Sequence, residues 1–184
     1  MPVQTPICDF GKKALPFELK STDNKIISLD DIKGENGTLI MFICNHCPYV
    51  KAITKEIVED CNELKKIGIN SVAICSNDFI NYPEDSFDNM IKFSKDNQFS
   101  FPYLQDETQK IAKKYDAVCT PDFFGYDKDL GLQYRGRLRE LKNFIPVKDG
   151  ESDLLKAMKQ IAETSKGPQD QIPSAGCGIK WKYD

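Results

Sequence analysis

The alternation of apolar and polar positions along the chain predicts strands and helices in turn. Residues 38–43 (TLIMFI) and 71–75 (SVAIC) are short continuous apolar runs, the pattern of strands buried on both faces of a largely parallel sheet. Between them Val50, Ile53, Ile57, Val58, Cys61 and Leu64 recur at helical spacing with Lys and Glu interleaved, which predicts an amphipathic helix over 48–67. Phe87, Met90, Ile91 and Phe93 predict a second helix over 86–97. A brief strand at Tyr103 and Leu104 and a shorter helix over 108–115 follow. Residues 152–164 carry Leu154, Leu155, Met158, Ile161 and Ala162 on one side and predict the last helix.

Turn residues supply the remaining punctuation. Thr22, Asp23 and Asn24 separate short strands at 16–20 and 25–28, an N-terminal hairpin. Asp127, Lys128, Asp129 and Gly131 separate 123–126 from 132–137, a second hairpin. This order predicts an α/β fold, a central mixed sheet with helices on both faces. At 184 residues one domain is expected, over 1–164. Residues 165–184 hold Gly167, Pro168, Pro173, Gly176 and Gly178, and are expected as an irregular or mobile C-terminal arm.

Composition narrows the partners. With 40% apolar and 29% charged residues of intermixed sign, and a net charge of -3, the chain reads as soluble and globular. It has no Lys/Arg block to track phosphates, so nucleic acid is not an expected partner. It has no apolar stretch long enough for a bilayer and no apolar leader, so no membrane contact and a cytoplasmic location are expected.

Seven cysteines cannot all pair. Cys8, Cys61 and Cys75 stand among apolar neighbours and read as small core fillers. The segment Cys44-Asn45-His46-Cys47-Pro48 differs, because it falls where a buried strand gives way to a helix. Free N–H groups at a helix start favour a thiolate, and Pro48 suits the first turn. Two cysteines three apart can form a disulfide there without rearrangement. His46, the one histidine, would favour a neighbouring thiolate if protonated. The pair is expected to be adjacent, open to solvent and partly anionic. A tetrahedral metal site needs four ligands, and neither a second C-x-x-C nor a second histidine is present, so no metal or cofactor is expected.

The dithiol motif after TLIMFI, together with Thr120-Pro121 ahead of 123–126, resembles the thioredoxin-like superfamily. NHCPYVKAI, SNDFINYPEDS, FPYLQDETQKIAKKYDAVCTPDFF and GCGIKWK are similar to peroxiredoxin-like proteins of the alkyl hydroperoxide reductase/thiol-specific antioxidant (redoxin) group that carry a C-x-x-C. The resemblance implies a thioredoxin-like fold in which Pro121 is cis and Thr120 faces the cysteines. It implies Cys44 as attacking thiol by the thioredoxin pattern and Cys47 as peroxidatic thiol by the peroxiredoxin pattern. The buried acid of thioredoxin falls at Thr38, and the peroxide-polarising arginine of peroxiredoxins falls where Cys119, Thr120, Pro121 and Asp122 stand. By the same resemblance Cys119 lies near the dithiol. Cys177, carried on a mobile arm, and Cys119 are candidate resolving thiols. Trp181 is expected to dock the arm on the body.

Three readings stay open at this point. The first is a thiol-disulfide oxidoreductase using Cys44 and Cys47, in redox homeostasis or antioxidant defence. The second is a thiol peroxidase centred on Cys47. The third is a non-enzymatic redox-sensing or metal-holding module. The expected partners are a protein disulfide or hydroperoxide substrate and a thiol electron donor.

Overall fold

The computed structural model describes residues 2–183. The chain opens with β1 (Val3–Gln4), a hairpin of β2 (Glu18–Ser21) and β3 (Ile26–Ser28), and the single turn α1 (Leu29–Ile32). Then come β4 (Gly37–Phe42), α2 (Pro48–Lys51), α3 (Thr54–Lys66), β5 (Ile69–Cys75), α4 (Phe87–Asp96), β6 (Tyr103–Gln105) and α5 (Lys110–Tyr115). The second half holds β7 (Cys119–Thr120), β8 (Asp122–Tyr126), β9 (Leu132–Tyr134), β10 (Leu141–Lys142), β11 (Ile145–Pro146), α6 (Asp153–Thr164) and β12 (Ala175–Gly178).

Seven strands make the central sheet, in the order β3-β2-β6-β5-β4-β8-β9. β4, β5 and β6 run parallel, and the hairpins at either edge pair antiparallel. β4 is buried throughout because each face packs on helices. Leu39, Met41 and Ile43 join α3, α4 and α6 through Ile57, Leu64, Met90, Leu154 and Met158. Ile40 and Phe42 face the other way, onto Ile32, Ile111 and Tyr115 of α1 and α5. The period of two along the strand thus feeds two separate cores, each side chain contributing about 1.5–3 kcal/mol of burial. No helix among the described residues is long and apolar enough to cross a membrane.

The helix expected over 48–67 is broken. Ile53, at φ -120 and ψ 3, separates α2 from α3. Thr54 Oγ1 donates to the Val50 carbonyl at 2.7 Å, taking an acceptor the continuous helix would use. The helix expected from 108 begins at Lys110. Gln109 takes a left-handed conformation (φ 66), and the buried Asp106 carboxylate accepts the first free N–H groups, those of Ile111 and Ala112. At α4 and α6 the hydroxyls of Ser86 and Ser152 accept from the backbone N–H three residues on.

The C-terminal segment, expected as an irregular or mobile arm, is stitched to the body. β12 lies between β1 and β7, antiparallel to both. Ser174 Oγ donates to the Pro121 carbonyl at 2.7 Å, and Thr5 N donates to the Ser174 carbonyl. Beyond β12, Gln109 donates to the Lys180 carbonyl and accepts from Lys182 N. Lys113 of α5 lies over the Trp181 ring at 5.7 Å, while the indole itself stays exposed.

Candidate active site

The parallel strands end together, and β4 delivers Cys44 to that edge: Ile43 N still donates to the Ile74 carbonyl, after which the chain leaves the sheet. Cys47 is the N-cap of α2, with Pro48 in the first helical position. The Thr120–Pro121 bond is cis, as the resemblance implies. Thr120 meets both sulfurs. Its Oγ1 lies 3.4 Å from Cys44 Sγ, and its carbonyl lies 3.2 Å from Cys47 Sγ, whose thiol form donates there.

The two thiols are adjacent but, contrary to expectation, closed to solvent, at 1% and 0% exposure. The reason is β12. Cys177 stands opposite Thr120 in the strand register and packs against the cluster that holds both cysteines.

Charge in this cluster belongs on Cys47. Its pKa is lowered to about 4, first by the hydrogen bond from the Cys44 thiol and then, against the cost of burial, by Cys177 and the nearby Val50 N–H. Cys44 is pushed well up by its shared proton with Cys47, by burial and by the negative charge of Asp85. The Thr120 carbonyl opposes the anion, and the two S–H donors outweigh it. α2 is only four residues long, so neighbouring thiols hold the thiolate rather than the dipole of the long helix expected.

Asp85 is the group the sequence did not reveal. Fully buried, it accepts from Asn45 N at 2.8 Å and from Asn77 Nδ2 at 2.9 Å. His46 Nδ1 lies 2.6 Å from its second oxygen, out of line for a hydrogen bond, and the ring is parallel to that of Tyr82. His46 therefore faces Asp85 while staying close to the Cys44 sulfur. Tyr103 donates to Asn45 Oδ1 at 2.8 Å and completes the network that fixes the loop between the cysteines. Cys44, His46 and Asp85 place one ligand atom each within 4.8 Å of one another. The two oxygens of Asp85 each accept one hydrogen bond, from Asn45 N and Asn77 Nδ2, and His46 Nδ1 has no hydrogen-bond partner.

Other expected positions fall as follows. Cys119 is fully buried, donates weakly to the Pro121 carbonyl at 3.6 Å, and is pushed up by burial. Thr38, at the place of the thioredoxin acid, accepts from Gly34 N and takes no part in the site. Cys61 and Cys75 are buried as core fillers and burial pushes both up to about 12, while Cys8 is half-buried. The chain's three arginines are each held by a carboxylate: Arg135 by Asp122, Arg137 by Asp153 and Arg139 by Glu56.

The crystal structure of a thiol:disulfide interchange protein of the thioredoxin family from Chlorobium tepidum TLS matches at TM-score 0.64 and 15% identity, over 83% of this chain and 97% of that one. Fold and dithiol together define the class, a redox protein of thioredoxin-like fold. Within it the chain belongs to the AhpC/TSA family, which matches residues 10–137. An uncharacterized conserved protein from Geobacillus kaustophilus is 44% identical with TM-score 0.93, over 100% of this chain and 98% of that one. A hypothetical protein from Sinorhizobium meliloti 1021 is 31% identical with TM-score 0.91, each chain covered in full. No curated protein matches.

Proposed function

We infer that the chain is a cytoplasmic thiol-disulfide oxidoreductase that cycles between a Cys44/Cys47 dithiol and the corresponding disulfide, with protein thiols and disulfides as substrates. The carrying observation is that two adjacent sulfurs share Thr120 of a cis-proline loop, Cys44 at its hydroxyl and Cys47 at its carbonyl, with the Cys47 pKa lowered. A low-pKa thiolate is a good leaving group, and it stabilises the reduced form, so the pair accepts electrons readily. Antioxidant work follows from the same exchange.

The peroxidase reading has less support. Polarising a peroxide calls for a fixed cation or donor facing the thiolate, and all three arginines are tied to carboxylates. A cleft of about 240 Å³ beside Pro121, lined by Tyr49, Ile53, Leu141 and Ile172 with Arg137 and Arg139 also on its wall, has room for a peptide side chain. Phe144 and Ile145, exposed on the adjoining β10–β11 hairpin, extend its apolar rim, with Tyr49 and Phe144 edge to face.

The test is insulin reduction with dithiothreitol as donor. The protein is expected to accelerate it, and peptide mapping after mild oxidation to find Cys44 joined to Cys47. Precipitation no faster than with dithiothreitol alone, with both thiols still alkylatable after oxidation, would remove this reading.

A further inference from the structure

If Cys44 and Cys47 are both closed to solvent, a protein partner cannot reach either sulfur directly. One sulfur of the cluster does approach the surface. Cys177 is only partly buried, packs against the cluster that holds Cys44 and Cys47, and lies across the strand pair from Thr120. Its placement is built in several ways. Gly176 lets β12 press against the cis-proline loop, since a Cβ there would fall 2.0 Å from the Thr120 carbonyl oxygen. Ser174 holds the Pro121 carbonyl on one side of Cys177, and Ile179 N donates to the Val118 carbonyl on the other. Both flanks of the residue are thus pinned to the segment that carries Thr120.

We propose that Cys177 is a third redox residue, which exchanges with Cys44 for the sulfur of Cys47 and so carries the disulfide to the surface, where a protein dithiol meets it. The proposal rests on the dithiol reading and adds the residue through which partners are engaged. The exchange is an isomerisation and needs no outside oxidant. Cys177 Sγ attacks Cys47 Sγ, the Cys47–Cys177 bond forms, the Cys44–Cys47 bond breaks, and its electron pair leaves on Cys44, which takes up the proton released by Cys177. One disulfide and one thiol stand on each side. A partner thiolate then attacks Cys177 Sγ, forms a mixed disulfide there and expels Cys47 as thiolate. The partner's second thiol attacks its own sulfur in that mixed disulfide, and Cys177 leaves as a thiolate and is protonated. The partner gains a disulfide, and the protein ends with three reduced thiols.

Access gives this route its direction. Cys47, lowered to about 4, is the better leaving thiolate from either disulfide, and only in the Cys47–Cys177 bond is the sulfur a partner must attack, Cys177, partly open to it. Cys177 itself is pushed up to about 11, by burial first and by the facing Cys47 sulfur second. The second cause disappears once Cys47 is bound to Cys44 and carries no charge, which leaves burial alone holding the Cys177 thiol up.

Cys44→Ser tests the bond directly. Oxidised with one equivalent of diamide, the variant is expected to stay monomeric, lose two alkylatable thiols and yield a peptide linking Cys47 to Cys177. A Cys177 that stays alkylatable, with Cys47 found in a dimer or as a sulfur acid, overturns the proposal. Cys177→Ser is the second arm. It is expected still to form the Cys44–Cys47 bond, and to be reduced by a synthetic peptide dithiol at least about tenfold more slowly than wild type. Unchanged reduction by that peptide also overturns the proposal. Failure of the Cys44–Cys47 bond to form in this variant would instead defeat the dithiol reading beneath it.

Discussion

Replacing Cys47 by serine is expected to abolish catalysed disulfide exchange, a loss of more than about a thousandfold, and to cost more than the same change at Cys44. Cys47 is the sulfur at which the cluster's bonds converge: Cys44 and Cys177 both meet it, and it holds the negative charge. Cys47→Ser removes the leaving group from each disulfide the site can form. Cys44→Ser leaves Cys47 and Cys177 in contact. A thioredoxin-like order of roles, with Cys44 as the attacking thiol, predicts the opposite ranking. The pH dependence follows from the same charge. The folded pKa lies near 4, below the unfolded thiol value of about 8.5, so the thiolate's contribution to the stability of the reduced fold is complete above the unfolded value and is lost as pH falls through about 4. Reduced wild-type protein should show the ultraviolet absorbance of a thiolate well below neutral pH, and Cys47→Ser should lack it. Equal losses in the two variants, or an absorbance that disappears near pH 8, would contradict this assignment.

What the sequence revealed and what it hid have one cause, the range of the interactions involved. β4 and β5 were legible because continuous apolar runs between polar breaks have few alternatives to a strand buried on both faces. α4 and α6 were legible because apolar spacing and a serine N-cap agree. The cysteine motif could be placed because it sits at a local landmark, the change from buried strand to helix, and the cis-proline through the resemblance that Thr120-Pro121 helps carry. Asp85 could not, since Pro83 and its neighbours read as a breaker, and the carboxylate acts on a backbone N–H forty residues earlier. β12 was hidden for a related reason. Ala175, Gly176, Cys177 and Gly178 have almost no apolar signature, and the pairing with β7 spans more than fifty residues. Missing that strand left the dithiol open in the sequence reading, whereas in the structure it is covered.

Arg135→Leu is expected to destabilise the fold by about 3–5 kcal/mol, because it leaves a buried carboxylate without its partner. Asp122 follows the cis-proline directly and has no exposure. Arg135 Nε and Nη2 reach its two oxygens at 3.2 and 2.9 Å, and Nη2 also donates to the Asp116 carbonyl. The guanidinium lies 4.3 Å from the Phe124 ring centre, so leucine restores some of the packing and none of the charge. Burial pushes the Asp122 carboxyl up, and Arg135 and the Val118 N–H pull it back. Without the arginine the folded pKa rises further. Stability contributed by the protonated acid is full below the unfolded carboxyl value and is lost as pH rises through the folded one, so the variant's deficit should be larger at neutral pH than in acid. Urea unfolding at the two pH values measures both effects, and a deficit below about 1 kcal/mol at neutral pH would show that the pair does not hold the loop. Asp122→Asn in the same background should recover part of the loss, since the amide removes the buried charge and keeps an acceptor for Val118. Because Asp122 anchors the residue next to Pro121, the single variant should also slow oxidation of the Cys44–Cys47 pair, an effect on a site that Arg135 does not touch.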